Sequence, residues 1–205
     1  MSDSEIRRRP GGRAARVRKA VLDAAVESLV EGGTARFAIG DIARRAGVNE
    51  TSVYRRWRTR ENLLVDAMLA ASDRHVPVPD TGSVREDLRA FAAVVADYLN
   101  DPLGSALARA AVVAVDDPEI AEARERFWHT RIDLAAVMIE RGIARGEVRP
   151  GTDPRVALEA LISPLHSRVL MTREPLGEEL PRALADLVSD GLSPTRRPPA
   201  GTPAR

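Results

Sequence analysis

The amino-acid sequence predicts an all-α fold, on three observations. Apolar residues recur every three or four positions through long segments, and these segments lack the period of two that indicates a strand. Aromatic residues make up only 3% of the chain, while Ala, Leu and Val dominate its 44% hydrophobic content. Gly and Pro stand mostly at the ends of the periodic segments, where helices stop or start. The 205 residues suit one large or two small domains.

The first predicted helix runs from Arg13 to Val30. Its apolar positions recur every fourth residue and form one stripe: Val17, Val21, Ala25 and Leu29. Gly32 and Gly33 follow, and they indicate where the helix ends. Residues 1–12, before this helix, contain an arginine cluster followed by Pro-Gly-Gly. This composition predicts a disordered basic arm, which either reaches DNA or is simply solvated.

The segment from Ile39 to Leu64 predicts a helix-turn-helix, and its sequence is IGDIARRAGVNETSVYRRWRTRENLL. Gly47 is the residue best able to take the positive φ that ends the first helix. The Asn49 side chain can cap the next helix, which we expect from Glu50 to Trp57. Thr59 is then placed to cap a third helix. Together with the helix over 13–30, the two helices of this motif predict a compact three-helix DNA-binding unit.

The second of these helices has a polar outward face. If Val53 and Trp57 are buried, a step of about 100° per residue directs Thr51 and Arg55 away from the core. Ser52, Tyr54 and Arg58 flank them. Hydroxyl and guanidinium donors on an exposed helix are suited to reading base edges in the major groove. The alternative interpretation is an ordinary helical hairpin whose charges face solvent.

Charge is unevenly distributed along the chain. Residues 1–60 contain 14 Lys and Arg against 7 Asp and Glu, whereas residues 61–205 contain 17 against 23. The net charge of the whole chain is only +1. A basic N-terminal part joined to an acidic remainder indicates that the first part meets phosphates, which favours the DNA-binding interpretation.

The order of these segments resembles the DNA-binding domain of the TetR family of transcriptional regulators over residues 13–72. The resemblance rests on Gly-Gly, Phe37, DIARRAGV (41–48), NETSVYRRW (49–57) and TRENLL (59–64). It implies a homodimer that binds a palindromic operator in double-stranded DNA and leaves it when a small-molecule effector binds the C-terminal domain. The resemblance and the outward face of the second helix together predict the residues that contact DNA. These are Arg44, Glu50, Thr51, Ser52, Tyr54, Arg55, Arg58 and Arg60.

Two residues depart from the family pattern. Ala38 stands where a capping Thr or Ser is usual, so one helix cap is missing. Glu50 stands where Lys is common. Its carboxylate either accepts a hydrogen bond from a cytosine amino group or favours the positive end of its own helix.

A Pro- and Gly-containing connection, residues 73–82, predicts the boundary between two domains. The DNA-binding domain is then 13–72, and a helical ligand-binding and dimerisation domain spans 73–192. Ser83 and Glu86 predict a capping box for a helix that continues to about Asn100. Later helices are expected over 103–115, from Asp117-Pro118 to about 141, from Asp153-Pro154 onward, and up to Leu192. Residues 193–205 have the composition of a disordered tail.

The last two predicted helices have wide apolar faces, which indicates either an intramolecular core or a seam with a second copy of the chain. The family resemblance implies that such helices form the dimer interface. The interface residues predicted on this basis are Leu158, Leu161, Leu165, Leu184, Leu187 and Val188.

Residues 83–172 contain apolar and aromatic side chains with a few polar groups, which suits either a ligand cavity or a plain core. The predicted ligand-binding residues are Phe91, Tyr98, Trp128, Met138, His166 and Met171. Pro164 lies inside a predicted helix and should kink or interrupt it beside His166.

The sequence offers little support for catalysis. It contains no Cys, its three His lie far apart, and it has no nucleophile elbow and no Gly-rich phosphate loop. We therefore expect no enzymatic activity, no metal and no cofactor. No apolar segment is as long as a membrane span or a signal peptide, so a cytoplasmic location is expected.

The predicted function is that of a ligand-responsive regulator, with repression as the expected mode. The alternatives are a constitutive or non-specific nucleic-acid-binding protein and a helical small-molecule carrier.

Overall fold

The computed structural model describes residues 12–113 and 118–194, and every regular element in these ranges is helical. The predicted all-α fold is therefore confirmed. Residues 1–11 of the predicted N-terminal arm, the Asp117 cap and most of the predicted tail lie outside the described residues, and Gly12 is the first residue of α1. The α-helices are α1 (Gly12–Gly32), α2 (Ile39–Arg45), α3 (Glu50–Trp57), α4 (Arg60–His75), α5 (Val84–Asn100), α6 (Pro102–Val113), α7 (Pro118–Ala144), α8 (Pro154–Ser167) and α9 (Glu179–Leu192). None of the described helices combines the length and hydropathy that a membrane span requires.

The chain forms two compact units. The first contains the described residues of Met1–Arg74 and Pro102–Trp128, and the second contains those of His75–Asp101 and His129–Arg205. The sequence predicts one boundary, at residues 73–82, whereas α6 and the first turns of α7 belong to the first unit. The physical reason is long-range packing, because Leu107 and Ile120 line the same small space as residues of α1 and α4. Such contacts leave no local signal in the sequence.

The second helix of the helix-turn-helix has its predicted boundaries, Glu50–Trp57. Helix α2 ends at Arg45, and Gly47 follows with a φ of 66°. The Asn49 side chain accepts a hydrogen bond from the backbone N–H of Thr51 at 2.8 Å, so the predicted cap of α3 is confirmed. At the start of α4, the Thr59 hydroxyl accepts from the backbone N–H of Asn62 at 3.2 Å. Short-range hydrogen bonds therefore define this part of the fold.

The core of the first unit contains the residues that the apolar periodicity predicts. Phe37, Ile42 and Val53 are essentially inaccessible to solvent, and Trp57 is also buried. These side chains come from α2, α3 and the segment before α2. Because α3 has only eight residues, its position depends on burying Val53 and Trp57 rather than on its intrinsic stability.

In the second unit, α5, α8 and α9 pack against one another. The predicted capping box at the start of α5 is wrong: in the described structure, the Ser83 side chain makes no capping hydrogen bond. The carboxylate of Glu147 accepts from the backbone N–H of Val84 at 2.7 Å instead. Asp87 accepts from the backbone N–H and the hydroxyl of Thr81, at 2.6 and 2.7 Å. A residue from a distant part of the chain thus replaces the local cap.

The buried face of α8 holds three of the residues predicted for the dimer interface. Leu158, Leu161 and Leu165 have no exposed surface within a single chain, so they belong to the core of the second unit. On α9 the inward residues include the small side chains of Ala185 and Ser189. Small side chains let helices approach closely, and Leu184, Leu187 and Val188 of the same helix are half-buried or exposed.

Pro164 does not interrupt α8, which continues through it to Ser167. A π-helix, Arg168–Thr172, follows and ends at Arg173, which has the left-handed conformation. The irregularity that the sequence predicts at Pro164 therefore lies about one turn further along the chain.

Candidate DNA-binding surface

The outward face of α3 presents polar side chains to solvent. Thr51, Tyr54, Arg55 and Arg58 are exposed, and Ser52 is half-buried. Tyr54 retains 48% of its surface although it is aromatic. The helix therefore buries one narrow apolar edge and leaves hydrogen-bond donors across the remainder of its surface, as a helix that enters the major groove requires.

A buried edge of α3 is fixed by a polar contact as well as by packing. The indole N–H of Trp57 donates to the carboxylate of Asp66 on α4 at 3.0 Å. Arg18 on α1 donates to the same carboxylate oxygen at 3.4 Å. Asp66 thus connects α1, α3 and α4 through one group. A recognition helix held from two sides keeps its outward face in a fixed orientation, which reduces the entropy lost on binding.

The C-terminal end of α3 has an unusual backbone. Arg58 has φ 64° and ψ −47°, and the backbone N–H of Thr59 donates to the carbonyl of Trp57 at 2.7 Å. These values describe a γ-turn with a positive φ at its central residue, a rare and strained conformation. The Asn62 side chain supports the turn by donating to the same Trp57 carbonyl at 3.0 Å.

Arg58→Gly should therefore stabilise the protein, because glycine adopts a positive φ without steric cost. We expect a gain of about 1 kcal/mol in the free energy of unfolding, or roughly 2–4 °C in Tm, measured by thermal unfolding without DNA. Arg56→Gly is the matched control, since Arg56 is an exposed arginine inside α3, and glycine there should cost about 1 kcal/mol. Equal losses for both variants would show that Arg58 is not strained.

Glu50 lies beside the N-terminus of α2, although it belongs to α3. Its carboxylate oxygen is 3.4 Å from the position that a Cβ on Gly40 would take. Ala38, the residue before α2, has no side-chain group to cap this helix. A negative charge near an uncapped helix N-terminus is favourable. Glu50 therefore lies against the first turn of α2, which Ala38 leaves without a side-chain cap.

Two arginines at the end of α2 have different surroundings. Arg45 makes a two-pronged contact with the Glu31 carboxylate, at 2.7 and 2.6 Å, and this hydrogen bonding lowers the pKa of Glu31. Arg44, predicted to contact DNA, is mostly exposed and pairs with Asp41 at 2.7 Å. Arg45 therefore joins α2 to α1, whereas Arg44 remains at the surface.

Arg60 is half-buried at the start of α4 and pairs with Glu61 at 3.1 Å. The Arg60 guanidinium therefore already has a partner within its own helix, unlike that of Arg55.

An open groove along α3 is lined by further cations that were not predicted from the sequence, namely Arg13, Arg18 and Arg56. Arg56 also lies over the Trp57 ring, 5.4 Å from its centroid. The only sequence signal for these arginines was the basic charge of residues 1–60.

The predicted ligand-binding residues are distributed over both units. Phe91 and Met138 are buried in the second unit, and the half-buried Tyr98 stacks on His75 with ring centroids 5.5 Å apart. Trp128 belongs to the first unit, where it meets Phe127 edge-on. Met171 is 78% exposed, so it lies outside the buried part of the second unit.

His166 lies half-buried near the end of α8. Its Nδ1 is 3.0 Å from the carbonyl oxygen of Ile162, one turn earlier. Burial lowers the pKa of His166, which favours the uncharged ring. In that form the imidazole offers one donor and one acceptor rather than a charge.

Comparison with known proteins agrees with this geometry. The model of bacterial regulatory proteins of the tetR family matches residues 21–67, and that of the tetracyclin repressor-like C-terminal domain matches residues 78–188. The HTH-type transcriptional regulator AqdR of Rhodococcus erythropolis is 41% identical over 179 residues, covering 87% of this chain and 86% of AqdR. The uncharacterised HTH-type regulator YdeS of Bacillus subtilis is 30% identical and covers 86% of this chain and 90% of its own.

The crystal structure of the TetR family regulator SCO0332 aligns with a TM-score of 0.71 and 30% identity, covering 87% of this chain and all of that one. A short helix with an exposed donor face, set by a glycine turn and an asparagine cap, defines a helix-turn-helix DNA-binding protein. The length and the sequence identity of these matches also define the protein family. It belongs to the tetR family of bacterial transcriptional regulators.

Proposed function

We propose that the protein is a ligand-responsive repressor that binds a palindromic operator as a homodimer and is released by a small apolar or aromatic effector. The observation that carries the proposal is the exposed donor face of α3, fixed through Trp57 and Asp66. Arg55 lies near the centre of this face and is the residue proposed to read bases. Arg44, Arg58 and Arg60 are proposed to contact phosphates.

A homodimer is proposed because one short recognition helix reads too few base pairs to define a site, and two-fold symmetry doubles the readout. The revised interface consists of the outward apolar residues of α8 and α9. Leu187 is 70% exposed, Val156 is 61% exposed, and Leu184 and Val188 are half-buried. Large apolar side chains exposed on adjacent helices favour association.

The effector is proposed to bind within the second unit near Phe91, Tyr98, Met138 and His166. Buried apolar side chains with a few polar groups suit a compound that is itself mostly apolar. To release the operator, the effector must bind the DNA-incompetent conformation more tightly. A coupling of about 1–3 kcal/mol gives a 5–150-fold change in DNA affinity.

Selection of duplexes from a random pool by the full-length protein tests the proposal. We expect enrichment of a palindrome whose half-sites lie about one helical turn, or 10 base pairs, apart. Affinity should fall steeply with salt because the basic groups lie on the DNA-binding unit. Equal affinity for all duplexes would favour a constitutive nucleic-acid-binding protein, and no affinity for any duplex would favour a small-molecule carrier.

A further inference from the structure

The end of the recognition helix is connected to a residue of α7 within the first unit. The Arg126 guanidinium donates to the side-chain oxygen of Asn62 at 3.3 Å. The Asn62 side-chain N–H donates in turn to the carbonyl of Trp57, the last residue of α3, at 3.0 Å. Asn62 lies on α4, so this chain of hydrogen bonds passes from α7 through α4 to α3.

The orientation of the Asn62 amide follows from its two partners. A guanidinium can only donate and a carbonyl can only accept, so the amide oxygen must face Arg126 and the amide nitrogen must face Trp57. If the amide were reversed, both contacts would be repulsive. Arg126 therefore selects the rotamer in which Asn62 supports the end of α3.

The backbone that the Asn62 side chain supports is the strained γ-turn at Arg58. The Trp57 carbonyl accepts from Asn62 and also from the Thr59 N–H that closes the γ-turn at Arg58. A positive φ at a residue with a side chain persists only where surrounding contacts hold it. Loss of the Asn62 contact would allow the last turn of α3 to relax, together with Arg55 and Arg58 on its DNA-facing side.

We infer that Arg126 is a positioning residue for DNA recognition, which acts through Asn62 to hold the C-terminal turn of α3 in its DNA-binding orientation. This inference rests on the proposed operator binding. Helix α7 continues from Arg126 to Ala144, among residues of the second unit. A change in α7 that withdraws Arg126 would therefore lower DNA affinity while every base-contacting residue stays intact.

A double-mutant cycle on the full-length protein tests the connection. Arg126→Ala and Asn62→Ala should each lower the affinity for the selected duplex by about 3- to 30-fold. If Arg126 acts on α3 through Asn62, the double variant should be no weaker than Asn62→Ala alone. Asn62→Asp should be as weak as Asn62→Ala, since it keeps a partner for Arg126 but cannot donate to the Trp57 carbonyl. Losses that simply multiply in the double variant would overturn the inference.

The salt dependence of binding separates positioning from direct phosphate contact. A positioning residue should leave the slope of log affinity against log salt unchanged, whereas removal of a phosphate contact reduces it by about one. Arg155→Ala is the matched control, because Arg155 is an arginine of similar exposure that binds Asp133 in the second unit. It should leave DNA affinity within twofold of the unchanged protein. A reduced slope for Arg126→Ala would reassign it as a phosphate ligand.

A measurement without DNA tests the connection between Arg126 and α3 independently of operator binding. Hydrogen exchange of the Thr59 amide, which donates to the Trp57 carbonyl, should be faster in Arg126→Ala than in the unchanged protein or in Arg155→Ala. Faster exchange in a protein that selects no duplex would refute operator binding but retain the structural connection. Unchanged exchange would refute the connection, even if a palindrome is selected.

Discussion

Leu187→Asp should convert the protein into a folded monomer. Leu187 lies on the outward face of α9, at about 200° from the buried Ala185, and the proposed interface would bury it. A carboxylate placed in an apolar interface costs several kcal/mol, which is enough to abolish association at micromolar concentration. The measurement is sedimentation or light scattering across a concentration series, with circular dichroism to show that the helices are retained.

Leu161→Ala should have the opposite effect: it should lower the stability of the fold but leave the dimer intact. Leu161 is fully buried in the core of the second unit, and its truncation should lower the free energy of unfolding by about 2–5 kcal/mol. The variant should still form dimers at temperatures where it remains folded. If Leu161→Ala gives a monomer of unchanged stability, or if Leu187→Asp remains dimeric, the revised interface is wrong.

On α9 the residues predicted for the interface lie away from the core or at its edge, whereas those predicted on α8 are buried. Ala185 and Ser189 face inward, while Leu184 and Leu187 face outward or lie at the edge. Leucines at spacings of three and four form an apolar stripe on both helices, and this periodicity alone does not show which stripe faces the core of its own chain. Ion pairs from Arg85 and Arg89 on α5 to Asp186 fix this orientation. Although partial burial would raise the pKa of Asp186, the hydrogen bonds from Arg89 and Arg85 lower it.

The helix-turn-helix could be predicted almost residue by residue because its determinants are local. The glycine turn, the Asn49 cap and the spacing of Val53 and Trp57 all act within one or two turns of helix. By contrast, the cap of α5 by Glu147 and the packing of α6 in the first unit depend on residues far apart in the chain. The positive φ of Arg58 was also unpredictable, since arginine carries no signal for it.

The same distinction applies to the DNA-binding surface. Periodicity alone identified the exposed side of α3, because two buried anchors determine which residues face outward. It could not show that Glu50 lies against Gly40 of α2, nor that Arg13 and Arg56 share a groove with Arg55. Those relations arise from contacts between helices, which a single sequence does not record.

Arg55→Ala and Arg60→Ala should affect DNA binding in different ways. Arg55 is exposed near the centre of the outward face of α3, so its loss should cost about 1–3 kcal/mol on the selected palindrome and relax discrimination at one base position. Arg60 opens α4 and is half-buried beside Glu61. Its loss should weaken all duplexes alike and reduce the salt slope by about one.

The measurement is the affinity of each variant for the palindrome, for single-base variants of it, and for random duplex, over a range of salt concentrations. Arg55→Lys is the informative control, because a lysine retains the charge but not the two-pronged geometry that recognises guanine. It should preserve affinity for random duplex while losing most of the preference for the palindrome. Equal losses of Arg55→Ala on palindromic and random DNA would mean that Arg55 contacts only the phosphate backbone, and base recognition would then have to come from Thr51, Ser52 and Tyr54.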